Sequence, residues 1–408
     1  MRATSPIDTA TKLSKPLRRS SLRQAPQGLV VLGVIITALA LLPLAYLIVR
    51  AAGATPRAWD LLLQPRTWAI AANSIVLTVA VTGSTIILAV PLAWLTVRTD
   101  LPGLRFWIVA LVLPLVIPSY VGAFTLLAMF GPRGILQGWL APLGVQRLPE
   151  IYGFPGAWLA LTLFSYPYVL LTARASLRRM DASLEDAAAS LGHSPWRAFW
   201  RVTLPLLRPA IAAGGLLVAL YTLSDFGAVS LLRFNALTQA IYTQYRASFD
   251  RSFAALLALL LVLMTLTLLW AEQRARGRAR ISRTGGSSGR SLSTVRLGRW
   301  RLPALVFVSC VTLFALILPV GVMLDWLLRG IRNGETWRPL WHAALNSLGA
   351  SGLAAAVTVL AALPIAVLAA RYPSRLSRWL ERGSTIGYGL PGVVIGLSLV
   401  FFGARYVP

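Results

Sequence analysis

The chain has 408 residues, of which 57% are hydrophobic and only 13% charged, with a mean hydropathy of +0.69. A water-facing surface needs about twice that charge, and the apolar residues fall in blocks of roughly 20, so a soluble enzyme is excluded. The net charge of +26 comes from 37 Arg and two Lys, Lys12 and Lys15, which flank those blocks; such a distribution orients helices in a bilayer and argues against nucleic acid as a partner.

In chain order, a basic tail (1–27) precedes nine predicted spans, at about 28–49, 69–97, 106–130, 155–177, 209–229, 253–271, 303–328, 345–370 and 384–404. The first is too long for a signal-peptide core and reads as a retained helix. With the N-terminus inside, the inner segments (the tail, 98–105, 174–208, 274–301 and 371–382) hold 27 Lys and Arg, against 12 outside. That bias predicts a multi-pass protein of the lipid bilayer with a cytoplasmic N-terminus. Residues 272–302 are rich in Arg, Gly and Ser, lack an apolar face, and read as a flexible cytoplasmic linker.

The segments on either side of the linker share a pattern. At an offset of 273 residues Trp68 matches Trp341, Asn73-Ser74 matches Asn346-Ser347, Pro91 matches Pro364, Arg98 matches Arg371 and Pro118 matches Pro391. Coincidence of these residue types at one offset predicts a duplication, with 28–271 as a first repeat of six spans and 303–408 as a second, incomplete one of three. The second repeat is then about three helices short, and the chain is expected to be part of a longer protein.

The loop between the fourth and fifth spans predicts two short helices. Ser183 can cap the first, with Asp186 three residues on and Glu185 beside it at the positive end of the dipole. Gly192 is placed to end that helix in a left-handed conformation. Ser194 caps the second, Pro195 enters its first turn, and Pro205 and Pro209 bound the entry to the next span. Small residues (Ala187, Ala188, Ala189) would lie beside Trp196, Phe199 and Trp200. On these residues alone the loop fits a docking element for a soluble partner and, equally, an interfacial loop whose aromatics rest on lipid.

Other candidates are sparse. Asp225, near the outer end of span five, fits a pathway acid or a helix-end acid equally well, and Asp325 near the end of span seven is a weaker case. Tyr221 and Tyr166 are candidate pathway residues with Asp225, and Pro91, Pro114, Pro118 and Pro364 interrupt spans. Neither lysine lies in a Gly-rich loop, so the phosphate-binding lysine of a Walker A motif is missing, and no catalytic constellation or metal-ligand spacing stands out.

Asp186-Ala187-Ala188, Gly192, Val202 and Leu204-Pro205 fall at the spacing of the inner-loop signature EAA-x3-G-x9-I-x-LP. The chain thereby resembles the permease subunits of binding-protein-dependent ABC importers, departing by Asp for Glu and Val for Ile. SLGHSPWRAFWRVTLPLLRPAIAAG, LPLVIPSYVGAF (113–124), SYPYVLLTARASL (165–177) and LSDFGAVSLLRFNALTQAIY (223–242) resemble the iron(III) branch.

The resemblance implies an all-α type I importer transmembrane domain with a tandem repeat, in a bacterial inner membrane. It implies a pair of separate ATPase subunits docked on 183–205, an external substrate-binding protein, and no cofactor in this chain, ATP and Mg being held by the ATPases. The docking residues would be Ser183, Glu185, Asp186, Ala187, Ala188, Gly192, Pro195, Trp196, Leu204 and Pro205. Alternatives are a permease for thiamine, polyamine or phosphonate, an ion-coupled secondary transporter, or a membrane scaffold.

Overall fold

The computed structural model describes residues 25–145, 147–180, 188, 190–247, 251–277, 294–336, 338–386 and 391–406. These are helical almost throughout, and no strand occurs among them. Seven single helices are long and apolar enough to cross a membrane: Gln27–Ala52, Pro65–Arg98, Phe154–Arg179, Phe199–Ser224, Ser252–Glu272, Gly298–Arg332 and Pro339–Arg371. An eighth candidate is a broken pair, Leu104–Val116 with Ser119–Leu143, bent by 100°.

That break corrects the uninterrupted span expected at 106–130. Helix α4 (Leu104–Ala110) gives way to a tight 3-10 turn at Leu113–Val116, and α5 runs from Ser119 to Phe130. Ile117 is extended (φ −81°, ψ 116°) because it precedes Pro118, whose ring disfavours a helical residue before it. The expected ninth span, 384–404, differs too. A polar helix covers Arg375–Ile386, and the apolar helix Gly392–Tyr406 has only 15 described residues.

The chain divides into two compact units, Met1–Leu42 with Arg338–Gly387, and Pro43–Trp337 with Tyr388–Pro408. In the larger unit α3 (Pro65–Arg98), α7 (Phe154–Arg179) and α9 (Leu204–Ser224) pack mutually and form the core, with α7 the most enclosed of the spans. Several hydroxyls in these apolar helices bond back to carbonyls one turn earlier, as Thr78 does to Ser74 at 2.7 Å and Thr96 to Leu92 at 2.8 Å, which satisfies those donors within their own helix. A Cβ on Gly214 of α9 would lie 2.4 Å from Thr172 Oγ1 and 2.7 Å from Val169 Cα of α7, so glycine sets how closely these helices cross.

Two spans carry a single π-helical turn, Phe199–Thr203 and Leu313–Ile317. Each ends just before a Leu-Pro pair, Leu204-Pro205 and Leu318-Pro319. Proline has no N–H for the carbonyl four residues back, and the ladder widens by one residue to pass it, Leu204 N–H bonding to Phe199 O and Leu318 N–H to Leu313 O. The helix entering the fifth span is therefore continuous, where Pro205 and Pro209 were expected to bound it.

The linker also departs from expectation. Helix α12 (Ser252–Gly277) extends into it, and residues 278–293 lie outside the described part. Its end is docked: Val295 N–H donates to Arg98 O at 2.7 Å, Asp100 N–H donates to Val295 O at 3.4 Å, and Leu297 N–H donates to Asp100 Oδ1 at 2.8 Å. Leu297 itself is buried in the core.

Two pairs of helices fall at the offset of 273 residues. Helices α3 (Pro65–Arg98) and α15 (Arg338–Arg371) both have 34 residues and start and stop 273 residues apart. The helices that follow Pro118 and Pro391 begin at Ser119 and Gly392, again at that offset.

Candidate docking loop and helix-end site

Ser183, Glu185, Asp186 and Ala187 lie outside the described residues, as do Ala189 and the side chains of Pro195 and Trp196. The turn and stem after them are well defined. Ala188 is buried, and His193 N–H donates to Ala188 O at 3.1 Å. Gly192 has φ +80°, which makes this six-residue closure a Schellman turn with glycine in the left-handed position. An added Cβ there would meet nothing within 4 Å, so the demand for glycine is conformational, not spatial.

Ser194 then caps the next helix, its Oγ accepting from Arg197 N–H at 3.4 Å while its carbonyl accepts from Ala198 N–H at 2.9 Å. Pro195 is the first helical residue of α8 (Pro195–Ala198), which passes through the π turn into α9 without interruption. Phe199 packs edge-on against Trp94 of α3, with centroids 6.2 Å apart, and Trp200 stands at right angles to Phe199 and is half exposed. Leu204 and Pro205 lie at the start of α9, and Thr203 and Leu207 are buried around them. The loop is thus an exposed turn (Leu191, Gly192) on a stiff stem braced against the second span.

Of the three candidate pathway residues, Asp225 and Tyr221 come together around Ser119, and Tyr166 lies apart from them. Asp225 stops α9 and holds the start of α10 (Gly227–Leu231), its Oδ1 accepting from Ala228 N–H at 2.9 Å and Val229 N–H at 3.3 Å. Ser119, the first residue of α5, donates its hydroxyl to Asp225 Oδ2, and Thr238 Oγ1 donates to the Asp225 carbonyl at 2.7 Å. The carboxylate is buried and joins two broken helices, the geometry of a helix-end acid. Tyr221, one turn earlier, faces Tyr168 with ring centroids 5.9 Å apart. Tyr166 is fully buried elsewhere, and its hydroxyl donates to Leu111 O at 2.8 Å, satisfying a carbonyl freed where α4 ends. Asp325 pairs with Arg329 one turn on at 2.9 Å.

Sequence reasoning missed Trp94, Ser119 and Asp100. The first two act on partners far along the chain, and nothing local marks them. Asp100 had a signal, being the acid in the basic segment 98–105.

A bundle of apolar helices carrying an exposed turn on a braced stem has the form of a membrane translocation subunit. The family of binding-protein-dependent transport system inner membrane components matches residues 69–280. The Fe(3+)-transport system permease protein FbpB 2 of Haemophilus influenzae is 34% identical over 94% of this chain and 73% of its own length. A probable sulfate transport permease of Nephroselmis olivacea is 32% identical over 44% of this chain and 64% of its own, and the molybdenum transport permease ModB of Escherichia coli 34% over 45% and 82%.

In fold, the chain is similar to a bacterial alginate ABC transporter crystallised with its alginate-bound periplasmic protein, at a TM-score of 0.50 and 16% identity, covering 62% of this chain and 94% of that one. The chain belongs to the inner membrane permease components of binding-protein-dependent ABC importers.

Proposed function

We propose that this permease carries iron(III), received from an external binding protein, and that two separate ATPase subunits drive it by docking on the loop around Gly192. The observation that supports iron most is coverage: likeness to the iron permease runs along 94% of the chain, whereas the sulfate and molybdenum permeases match less than half. Docking at the loop is supported by the Schellman turn at Gly192 and the Ser194 cap, which fix the shape of an exposed inner element.

Force applied to that element would enter the bundle by two routes, axially through the unbroken helix from Pro195 to Ser224 and sideways through Phe199 into Trp94. ATP and Mg would be bound, and the ATP hydrolysed, in the partner subunits. With the broken pair counted as one crossing, four described spans precede the loop and six precede the linker, which puts both on the side of the N-terminus, where most of the arginines lie, and this supports a cytoplasmic N-terminus. The matched bounds of Pro65–Arg98 and Arg338–Arg371 support reading 28–271 and 303–408 as copies.

The test is uptake by proteoliposomes holding the full permease, its ATPase pair and its binding protein. ATP-dependent accumulation of iron(III) but not thiamine is expected. Uptake without ATPase would instead identify an ion-coupled carrier.

A further inference from the structure

Helix α16 (Arg375–Ile386) leaves the end of a membrane span abruptly. The 34-residue helix α15 stops at Arg371, and α16 begins four residues on, after Pro373. Ser374 and Ser377 fix the corner reciprocally: Ser377 N–H donates to Ser374 Oγ at 3.0 Å and Ser374 N–H donates to Ser377 Oγ at 2.7 Å. A helix that starts so close to the end of a span lies at the depth of the lipid headgroups, whichever side it is on.

Its two faces differ. Leu380 and Ser377 are buried, and a Cβ on Gly383 would come within 2.7 Å of Thr37 Cγ2. Leu380 also reaches Gly33, so this side of α16 is seated on the first half of α1 (Gln27–Ala52). The opposite side carries Arg375, Arg378 and Arg382, all exposed, with Trp379 beside them at 71% exposure. At about 100° per residue these four fall within an arc of roughly 100°. They line one cavity of about 190 Å³. The helix's one acid, Glu381, lies on the flank outside that arc.

We infer that this face is a binding site for anionic phospholipid headgroups. Guanidinium groups pair with phosphate oxygens through parallel hydrogen bonds, and an indole is most stable at the boundary between headgroups and acyl chains. The face lies opposite the side seated on the first span, at headgroup depth, with three exposed cations and no acid within the arc. Charge complementarity therefore selects a phosphodiester surface, and the adjoining bilayer supplies one at high local concentration. The site would fix where the second long helix leaves the membrane. This inference shares with the transport reading only that the chain is embedded in a bilayer.

The test uses the purified full chain, with no ATP or transported substrate, titrated in detergent with phosphatidylglycerol or phosphatidylcholine and read by native mass spectrometry. The wild type is expected to retain phosphatidylglycerol severalfold more than phosphatidylcholine. The R375Q/R378Q/R382Q variant should lose about tenfold of that retention, and the corresponding Arg→Lys variant should keep part of it. Equal retention by wild type and the Gln variant overturns the inference, as does displacement of the lipid by millimolar inorganic phosphate, which would indicate a free-anion site. Loss of a companion protein with lipid retention unchanged would assign the face to that protein instead. Should the triple variant fail to fold, R378Q alone must lower retention at least twofold; no change overturns the inference equally.

Discussion

Phe199, at the foot of the fifth span, meets Trp94 of the second span edge to face, with ring centroids 6.2 Å apart and planes at 77°. One residue belongs to the stem of the Gly192 loop and the other to a helix of the core, so the pair joins the exposed turn to the packed bundle. Aromatic pairs of this geometry contribute about 0.5–1.5 kcal/mol beyond their buried area.

Replacing Phe199 by Ala is expected to leave the ATPases bound while transport falls severalfold per ATP hydrolysed. Uptake and phosphate release measured on the same proteoliposomes give that ratio. An unchanged ratio would remove the lateral route and leave only the axial one.

Gly192→Val forces a β-branched residue into φ +80°, a strain of about 1–2 kcal/mol that the turn can relieve only by changing shape. Membrane insertion should be normal, with recovery of the ATPase by affinity capture reduced about tenfold. Gly192→Asn, which tolerates the left-handed region, should keep most of it.

Asp225→Ala would remove the Ser119 hydroxyl's acceptor and strand the N–H groups of Ala228 and Val229, at a cost of about 2–3 kcal/mol. A clear drop in thermal unfolding temperature in detergent is expected. Asp225→Asn keeps an accepting oxygen and should restore much of the stability and the transport. Lost transport at native stability in the Asn variant would mark Asp225 as a pathway acid instead.

At the crossing of α7 and α9, Gly214→Val should prevent the helices from closing and abolish a well-folded product, because the new side chain would overlap Thr172 and the Val169 backbone. Gly215→Ala is the control. Its Cβ would sit 3.4 Å from Thr82 Cγ2, a separation the neighbour can accept, and the protein should survive as judged by size-exclusion profile.

Much of this was legible in the sequence, for physical reasons that can be traced to particular residues. Gly192 and Ser194 act within a few residues of their own positions, so their roles in the turn follow from local backbone chemistry. The broken helix was written in Pro114 and Pro118, but a hydropathy window averages across both and reports one span. Tyr166 reads in the sequence as a tyrosine that could line a passage, yet its hydroxyl turns to the Leu111 carbonyl, a partner 55 residues away that no local pattern marks. The seating of Val295 on Arg98 and Asp100 was beyond reach, since backbone pairing between distant segments leaves almost no mark in composition.

Pro91 and Pro364 each sit seven residues before the closing arginine of a 34-residue rod. Each removes one rung from the ladder, at the carbonyls of Ile87 and Leu360 respectively. A rod of that length measures about 51 Å, well beyond the apolar thickness of a bilayer, so both must lean or protrude. The two rods therefore share a weak point at one and the same distance from their ends, and a bending load applied alike to both would make them yield as a matched pair.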